Sequence, residues 1–406
     1  MSKDNKAVDP VPRKPPSGFA LRYPTIEDLR KRARRRVPRF AFEYVDGGAG
    51  EGETCMVRNA AALDAVELVP RYGIENYKAN MEVKLFGRRF AAPIGVAPMG
   101  IPGLVWPGGE ETFARAAQAA NIPFTLGSSA AAPIERIAEL APDCTWFQLY
   151  RMPHDDLAIN FDLVRRAETV GVHALILTLD VPARTKRPRE LRNRLIIPYS
   201  VGLRTFIDVL SHPGWLLALQ RHGQTAFANY QTYAGDKAPN REVMKFVRTH
   251  AGGTFTWDEV ARFREAWKGP LIVKGILHPQ DAEQAVKLGV DGIVVSNHGG
   301  RQLESAPASI DVLPAIAATV GDRATVLFDS GIRSGEDVVR ALALGAISTL
   351  SGRAFMYGLA ALGDQGPGHV ADFFFEEISE ALRQVGAHNC AEARDLMIRH
   401  PGALAF

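Results

Sequence analysis

The chain has 406 residues, with 48 Lys/Arg against 45 Asp/Glu and a formal net charge of +3. Apolar residues make up 46% of it, enough to offset chain entropy by burial, which excludes an intrinsically disordered protein. No stretch reaches the roughly 18 uninterrupted apolar residues a membrane-crossing helix needs; a spanning protein is excluded, a surface-bound one is not.

The N-terminal MSKDNKAVDPVPRKPP lacks the apolar core of a secretory signal. Cys55, Cys144 and Cys390 are odd in number and far apart, with no C-x-x-C and no zinc-type Cys/His spacing. Free thiols in a reducing compartment, a cytoplasmic location and no metal site are therefore expected. Residues 1–22 read as a flexible basic, Pro-rich tail, and residues 1–40 carry 12 Lys/Arg against 4 Asp/Glu. The run RKRARRRVPR (30–39) reads as a solvated helix face before an anion-docking surface, and no aromatic interleaving points to nucleic acid.

Residues 23–90 form an N-terminal extension. From residue 91 short apolar runs recur: AAPIGVAP (91–98), IPFTLGSS (122–129), CTWFQLY (144–150), ALILTLD (174–180), GPLIVKG (269–275), GIVVSNHGG (292–300), TVLFDSG (325–331) and ISTLSGR (347–353). Each has the Val/Ile/Leu/Phe content of a strand buried on both faces. Helical patterns lie between them at 109–120, 133–140, 155–171, 256–269, 279–289, 311–321 and 334–345, several closing on a Gly suited to a left-handed cap. Eight such units predict a (β/α)8 TIM barrel over 91–406, preceded by the helical extension and interrupted after strand four by a long insertion, 181–254. An open doubly wound sheet fits less well, because no G-x-G-x-x-G follows the first run.

Active sites of this fold lie at the C-terminal ends of the strands. Those ends carry Gln148 and Tyr150, Thr178 and Asp180, Lys274, then Ser296-Asn297-His298 with Gly299, Gly300 and Arg301, then Asp329 to Arg333, then Gly352 and Arg353. The set is rich in cations and calls for anions. The loops after strands seven and eight are the usual phosphate site, where glycines let backbone N–H groups approach and Arg binds bidentately. His298, followed by two glycines, suits a general base near neutral pH, and Arg301 could fix a carboxylate beside it.

SNHGGRQLE (296–304), with WFQLY, LTLDVP, VKGI, FDSGIRSG, ALALGA and the N-terminal RFAFEYVDGGAGE in order and spacing, resembles the FMN-dependent α-hydroxy acid oxidase and dehydrogenase family, which includes glycolate oxidase, the flavin L-lactate dehydrogenases and mandelate dehydrogenase. The resemblance runs from about Tyr23 to the C-terminus. It implies FMN as cofactor and oxidation of an (S)-2-hydroxy acid to a 2-oxo acid. His298 would be the base, with Asp180 on its far nitrogen. Arg301 and Arg187 would clamp the substrate carboxylate, with Tyr44 and Tyr150 completing the pocket. Lys274 would face the pyrimidine side of the flavin. Pro98, Met99, Gly100, Gln148, Thr178 and Ser296 would line the ring and ribityl chain; Asp329, Ser330, Gly331, Arg333, Gly352 and Arg353 would hold ribityl and phosphate.

The sequence departs from family habit at four places, one of them around Arg187 (ARTKRPRELRNRL, 183–195), where Lys186 precedes the arginine and an unusual Pro188 follows it. Met99 and Gly127 stand where members often carry a hydroxyl, and Gly100 stands where oxidases often carry Ala and mandelate dehydrogenase carries Gly. The last favours a quinone or another non-oxygen acceptor over oxygen; a peroxide-producing oxidase is the alternative and a non-redox FMN isomerase a remoter one. Residues 191–223 mix Leu, Ile, Phe and Trp with Arg, as in mandelate dehydrogenase. They suit either a membrane-surface segment on the inner face or a lid or subunit contact. Trp106, Tyr44 and Tyr150 leave an aryl or a bulky aliphatic substrate open. A homo-oligomer is expected by analogy.

Overall fold

The barrel strands are built from residues whose side chains are apolar on both faces, and each of the eight runs supplies one. In a computed structural model, which describes residues 18–74, 76–195, 202–223, 227–235 and 237–405, they are β1 Ile94–Met99, β2 Phe124–Gly127, β3 Thr145–Leu149, β4 Ala174–Thr178, β5 Leu271–Ile276, β6 Gly292–Val295, β7 Thr325–Phe328 and β8 Ser348–Ser351. They close in the order β7-β8-β1-β2-β3-β4-β5-β6, with every neighbouring pair parallel. Parallel strands covered on both sides need continuous apolar sequence, and Trp146, Phe147, Ile176, Ile272, Val294 and Leu327 are all buried.

The strands are shorter than the runs. β4 stops at Thr178 and β8 at Ser351, so Asp180 lies on the loop after β4 and Arg353 opens the next helix, Arg353–Leu362. The helix expected over 155–171 is α-helical over Ala158–Thr169, because Asp155, Asp156 and Leu157 before it take positive φ. Two of the barrel helices start on reciprocal caps. Thr256 with Glu259, and Ser334 with Asp337, each satisfy backbone N–H groups that a helix start leaves unpaired, worth about 1 kcal/mol apiece.

The extension closes one mouth of the barrel and frames the other. A hairpin of Val83–Leu85 and Arg88–Phe90 carries Phe86 under the N-terminal ends of the strands, edge-on to Trp146 at 5.7 Å. Helices Ile26–Arg36, Arg39–Asp46 and Thr54–Asp64 bring Tyr44 and Asn59 to the opposite mouth. Asp46 fastens three parts of the chain there. Its carboxylate accepts from Arg30 Nε (2.6 Å), from Arg189 Nη1 in the insertion (2.7 Å) and from the Tyr357 hydroxyl (2.8 Å). Burial alone would raise its pKa; the bonds from Arg30 and Tyr357 outweigh that and hold it at about 2.

The insertion contributes helices Pro188–Arg192, Leu203–Leu210, Pro213–His222 and Asn240–His250. Within the segment singled out at 191–223, residues 196–201 lie outside the described residues, as do 1–17 of the tail. Trp215 anchors the third of these helices, with its ring against Phe40 and its Nε1 donating to Val105 O at 3.1 Å. Leu203, Phe206, Ile207 and Leu210 of the second helix stay exposed, with Leu217 beside them. Among the described residues no helix is long and apolar enough to cross a membrane.

Candidate active site

β6 ends at Val295, and the chain then turns so tightly that His298, Gly299 and Gly300 all take positive φ (59°, 64° and 72°). A non-glycine residue there is strained unless its surroundings fix it. Ser296 Oγ accepts the His298 N–H (3.0 Å), Ser330 Oγ the Gly299 N–H (2.9 Å), and Asn297 Oδ1 the Gly300 N–H (3.1 Å). Asn297 is itself locked to Asn59 of the extension by reciprocal amide bonds of 2.8 and 2.6 Å. Gly300 has no room for a side chain: a Cβ would sit 2.7 Å from Met56 N. The turn motif is thus shaped by the helix that packs on it.

The imidazole that this turn presents is polarised. His298 Nδ1 lies 2.9 Å from Asp180 Oδ1, and Nε2 lies 3.4 Å from the Tyr150 hydroxyl. Asp180 can only accept, so Nδ1 carries the hydrogen and Nε2 is left as the basic nitrogen. Burial lowers the His298 pKa, and Asp180 opposes that only in part. Burial would raise Asp180, but the nearby His298 and Lys274 bring it down on balance. A neutral imidazole beside an ionised carboxylate is the arrangement of a general base. Gly275 makes space for it, since a Cβ there would lie 2.5 Å from Asp180 Cβ.

Two guanidiniums line the same cleft. Arg301 lies with its guanidinium 5.2 Å from the Tyr44 ring centre, donates Nη1 to Tyr44 O and Gly47 O (2.8 Å each) and Nη2 to Glu190 Oε1 (2.6 Å). Arg187 donates Nε to Arg301 O (3.0 Å) and Nη1 to the same Glu190 oxygen (3.3 Å). Arg353 adds bonds to Val45 O (2.9 Å) and Gly47 O (2.9 Å). Arg301 and Arg353 therefore also satisfy carbonyls at the C-terminal end of the helix that carries Tyr44, where positive charge is favoured. Burial raises the pKa of both Tyr44 and Tyr150, which keeps their hydroxyls available as donors.

Beyond His298 the cleft runs over the barrel mouth toward β7 and β8, lined by Pro98, Met99, Gly100, Lys274, Asp329, Ser330, Gly331, Arg333, Gly352 and Arg353. Lys274 is buried, with Nζ 3.0 Å from Asp329 Oδ2 and donating to Ser296 Oγ at 2.7 Å. Burial alone would lower its pKa; Asp329 and Asp180 reverse that. Arg333 and Arg353 are different. Among the described residues no carboxylate pairs with either, and burial lowers both, Arg353 to about 9. Guanidiniums enclosed without a counter-charge, at the uncapped start of the ten-residue helix Arg353–Leu362, suit a phosphate dianion. The residues present fit FMN: one cleft brings together two buried arginines with no carboxylate partner among the described residues, a buried lysine and the imidazole.

Most residues expected at the site therefore meet in one cleft. Gln148, Thr178 and Ser296 are buried at the strand ends and are not part of the open cleft's lining. Gln148 donates to Thr178 Oγ1 (2.9 Å), and Ser296 is fully buried beneath Lys274. Trp106 lies outside the cleft, packed under the Arg36 guanidinium at 3.9 Å. The missing hydroxyl at 127 has a steric reason, since a Cβ on Gly127 would come 2.8 Å from Met99 O, where β1 shifts register. A Cβ on Gly100 would lie 2.6 Å from the Tyr44 hydroxyl. Sequence reading missed Glu190, Asn59 and Asp46. Each is an ordinary polar residue in its own segment and gains meaning only from partners far away in the chain.

The family of FMN-dependent dehydrogenases matches residues 33–400. L-lactate dehydrogenase of Bartonella tribocorum is 40% identical over 366 residues, covering 90% of this chain and 94% of that protein. L-lactate dehydrogenase of Pseudomonas paraeruginosa is 38% identical over 378 residues, 93% and 98% of the two chains. Among solved structures, the monotopic membrane protein (S)-mandelate dehydrogenase superposes with a TM-score of 0.87 at 33% identity, over 93% of this chain and 99% of that one. Mandelate oxidase with (S)-4-hydroxymandelic acid superposes with a TM-score of 0.80 at 35% identity, over 94% and 100%.

Proposed function

Because this chain belongs to the FMN-dependent dehydrogenase family, and so has FMN as its cofactor, we propose that it oxidises an (S)-2-hydroxy acid to the 2-oxo acid and passes the electrons to a quinone or another non-oxygen acceptor. The observation that carries the reading is the Asp180–His298 pair, 2.9 Å apart, whose Nε2 lies 3.4 Å from the Tyr150 hydroxyl in a cleft that Arg187 and Arg301 also line.

Bound FMN supplies the two-electron chemistry. The protein residues do the rest. Arg301 and Arg187 take the substrate carboxylate and so fix Cα, while the Tyr44 and Tyr150 hydroxyls donate to its oxygens. His298 Nε2 accepts a proton from the substrate. Asp180 holds the imidazole in the required tautomer and balances the imidazolium that results, as a carboxylate does for any positioned base. Lys274 would offer a buried positive charge to the bound flavin. Arg333, Arg353 and the backbone of Gly331 and Gly352 would hold its phosphate.

The acceptor is tested by comparing a soluble quinone with oxygen. Quinone turnover at least about ten times faster than oxygen uptake is expected, and the reverse ratio supports the oxidase reading, which the likeness to mandelate oxidase favours.

The exposed row Leu203, Phe206, Ile207 and Leu210 supports peripheral attachment to a membrane, and a structural neighbour is described as monotopic. An apolar helix face of this kind lies in the headgroup plane. The double variant Phe206→Asp, Leu210→Asp should leave liposomes in a flotation assay while keeping turnover with an artificial dye. Equal flotation of wild type and variant would remove the insertion from any membrane role.

A further inference from the structure

Glu190 is a carboxylate placed inside a carboxylate-binding site. One oxygen takes bonds from both clamp arginines, 2.6 Å from Arg301 Nη2 and 3.3 Å from Arg187 Nη1. Two positive charges are thereby reduced to a net single positive charge, the amount that one substrate carboxylate balances. A clamp with both charges uncompensated would also attract dianions.

Glu190 has a second neighbour. A cavity of about 270 Å³ opens from the clamp side of the cleft, sharing Tyr44, Gly100, Tyr150 and Arg187 with it. Its lining includes the apolar Ile101, Leu104, Val181, Phe227 and Val247, and also Glu190, which holds the clamp arginines. A hydroxy acid whose carboxylate lies on the arginines has this space within reach of its side chain. A methyl group leaves nearly all of that space to water, whereas an aryl or branched alkyl group covers apolar wall and gains by burial. A second carboxylate would enter an apolar space facing Glu190 and lose its hydration there. Two other charges line the cavity. Arg151 is neutralised by Glu259 at 2.8 Å, and Arg184 is exposed at the outer rim, donating to Arg248 O at 2.7 Å.

We propose that Glu190 is a specificity-determining residue, which sets the clamp for monoanionic 2-hydroxy acids with a bulky apolar side chain and turns away those bearing a second carboxylate. This rests on the reading of the cleft as a 2-hydroxy acid site and deepens it by naming the substrate class. The selection works by difference, since Glu190 repels the wrong substrate more than it helps the right one.

The test uses the FMN-bound protein and two readouts. The first is equilibrium binding of unreactive 2-oxo acids with methyl, phenyl, isobutyl and carboxymethyl side chains, followed by the change they cause in the bound flavin spectrum. The second is kcat/KM for the matching hydroxy acids. Wild type should bind the phenyl and isobutyl acids at least about tenfold more tightly than the methyl or carboxymethyl acid. Glu190→Gln should shift the carboxymethyl-to-phenyl ratio toward the diacid by about tenfold or more, Glu190→Asp should restore the wild-type order, and Arg184→Gln should leave the Glu190 effect in place. If Glu190→Gln weakens all four acids by the same factor, Glu190 only braces the arginines and the proposal fails. A wild type that favours the carboxymethyl acid also overturns it. If no 2-hydroxy acid reduces the bound flavin, the reading of the whole cleft fails instead, a result separable from the other two.

Discussion

His298→Ala should leave a yellow, FMN-bound protein whose flavin is reduced by substrate about 10²–10⁴-fold more slowly. The cationic groups at the β7 and β8 ends do not depend on His298, so cofactor affinity should hold. The substitution leaves Asp180 with no partner for Oδ1, in addition to an Oδ2 that already has none. His298→Gln, which can still donate toward Asp180, separates that structural loss from loss of the base. The same account fixes a pH dependence. Burial lowers the His298 pKa from its ordinary 6.5, so the working neutral form persists below that pH, and the acid limb of kcat/KM should fall below 6.5. Asp180 opposes the lowering, so Asp180→Asn should move the limb lower still while reducing the rate. A profile that falls above 6.5, or His298→Ala with near wild-type flavin reduction, would assign the base elsewhere.

Arg301→Lys should act on substrate instead of cofactor. The guanidinium makes three bonds to Tyr44 O, Gly47 O and Glu190 while still facing the cleft. A lysine ammonium is a point charge and cannot reproduce that fork. Losing one or two charge-assisted hydrogen bonds costs about 1.5–3 kcal/mol each, equivalent to roughly a 10–100-fold drop in kcat/KM for one bond. Most of the change should fall on KM, because the carboxylate is held before and during the reaction. FMN affinity should stay within a few-fold of wild type. An unchanged KM would remove Arg301 from the clamp.

The eightfold rhythm and the strand-end chemistry were legible because both are local. A buried parallel strand must be apolar throughout, and the C-terminal end of such a strand is where this fold places reactive groups. Asp180, Lys274 and the pair His298 and Arg301 lie on three segments, yet each segment could be singled out from its own strand end. What stayed hidden depends on contacts across the chain. Glu190 could not be singled out before Arg187 and Arg301 were known to share it, 111 residues apart in the second case. Asn59 gains its role only by pairing with Asn297, 238 residues on. The burial of Gln148, Thr178 and Ser296 was hidden for another reason. Alternation along a strand shows which way a side chain points, whereas distance from the mouth depends on where pairing stops. β4 stops at Thr178, two residues short of the end of its run at Asp180.

In the proposed function one barrel mouth combines a bound flavin, a carboxylate clamp and a neutral imidazole to oxidise 2-hydroxy acids. Anaerobic mixing of the FMN-bound protein with the two enantiomers of aryl and branched-alkyl 2-hydroxy acids, followed at the visible flavin band, tests it most directly. Rapid bleaching by the (S)-acids, with formation of the matching 2-oxo acid and none by the (R)-acids, is the predicted result. A stable FMN complex whose colour survives every 2-hydroxy acid offered would contradict it.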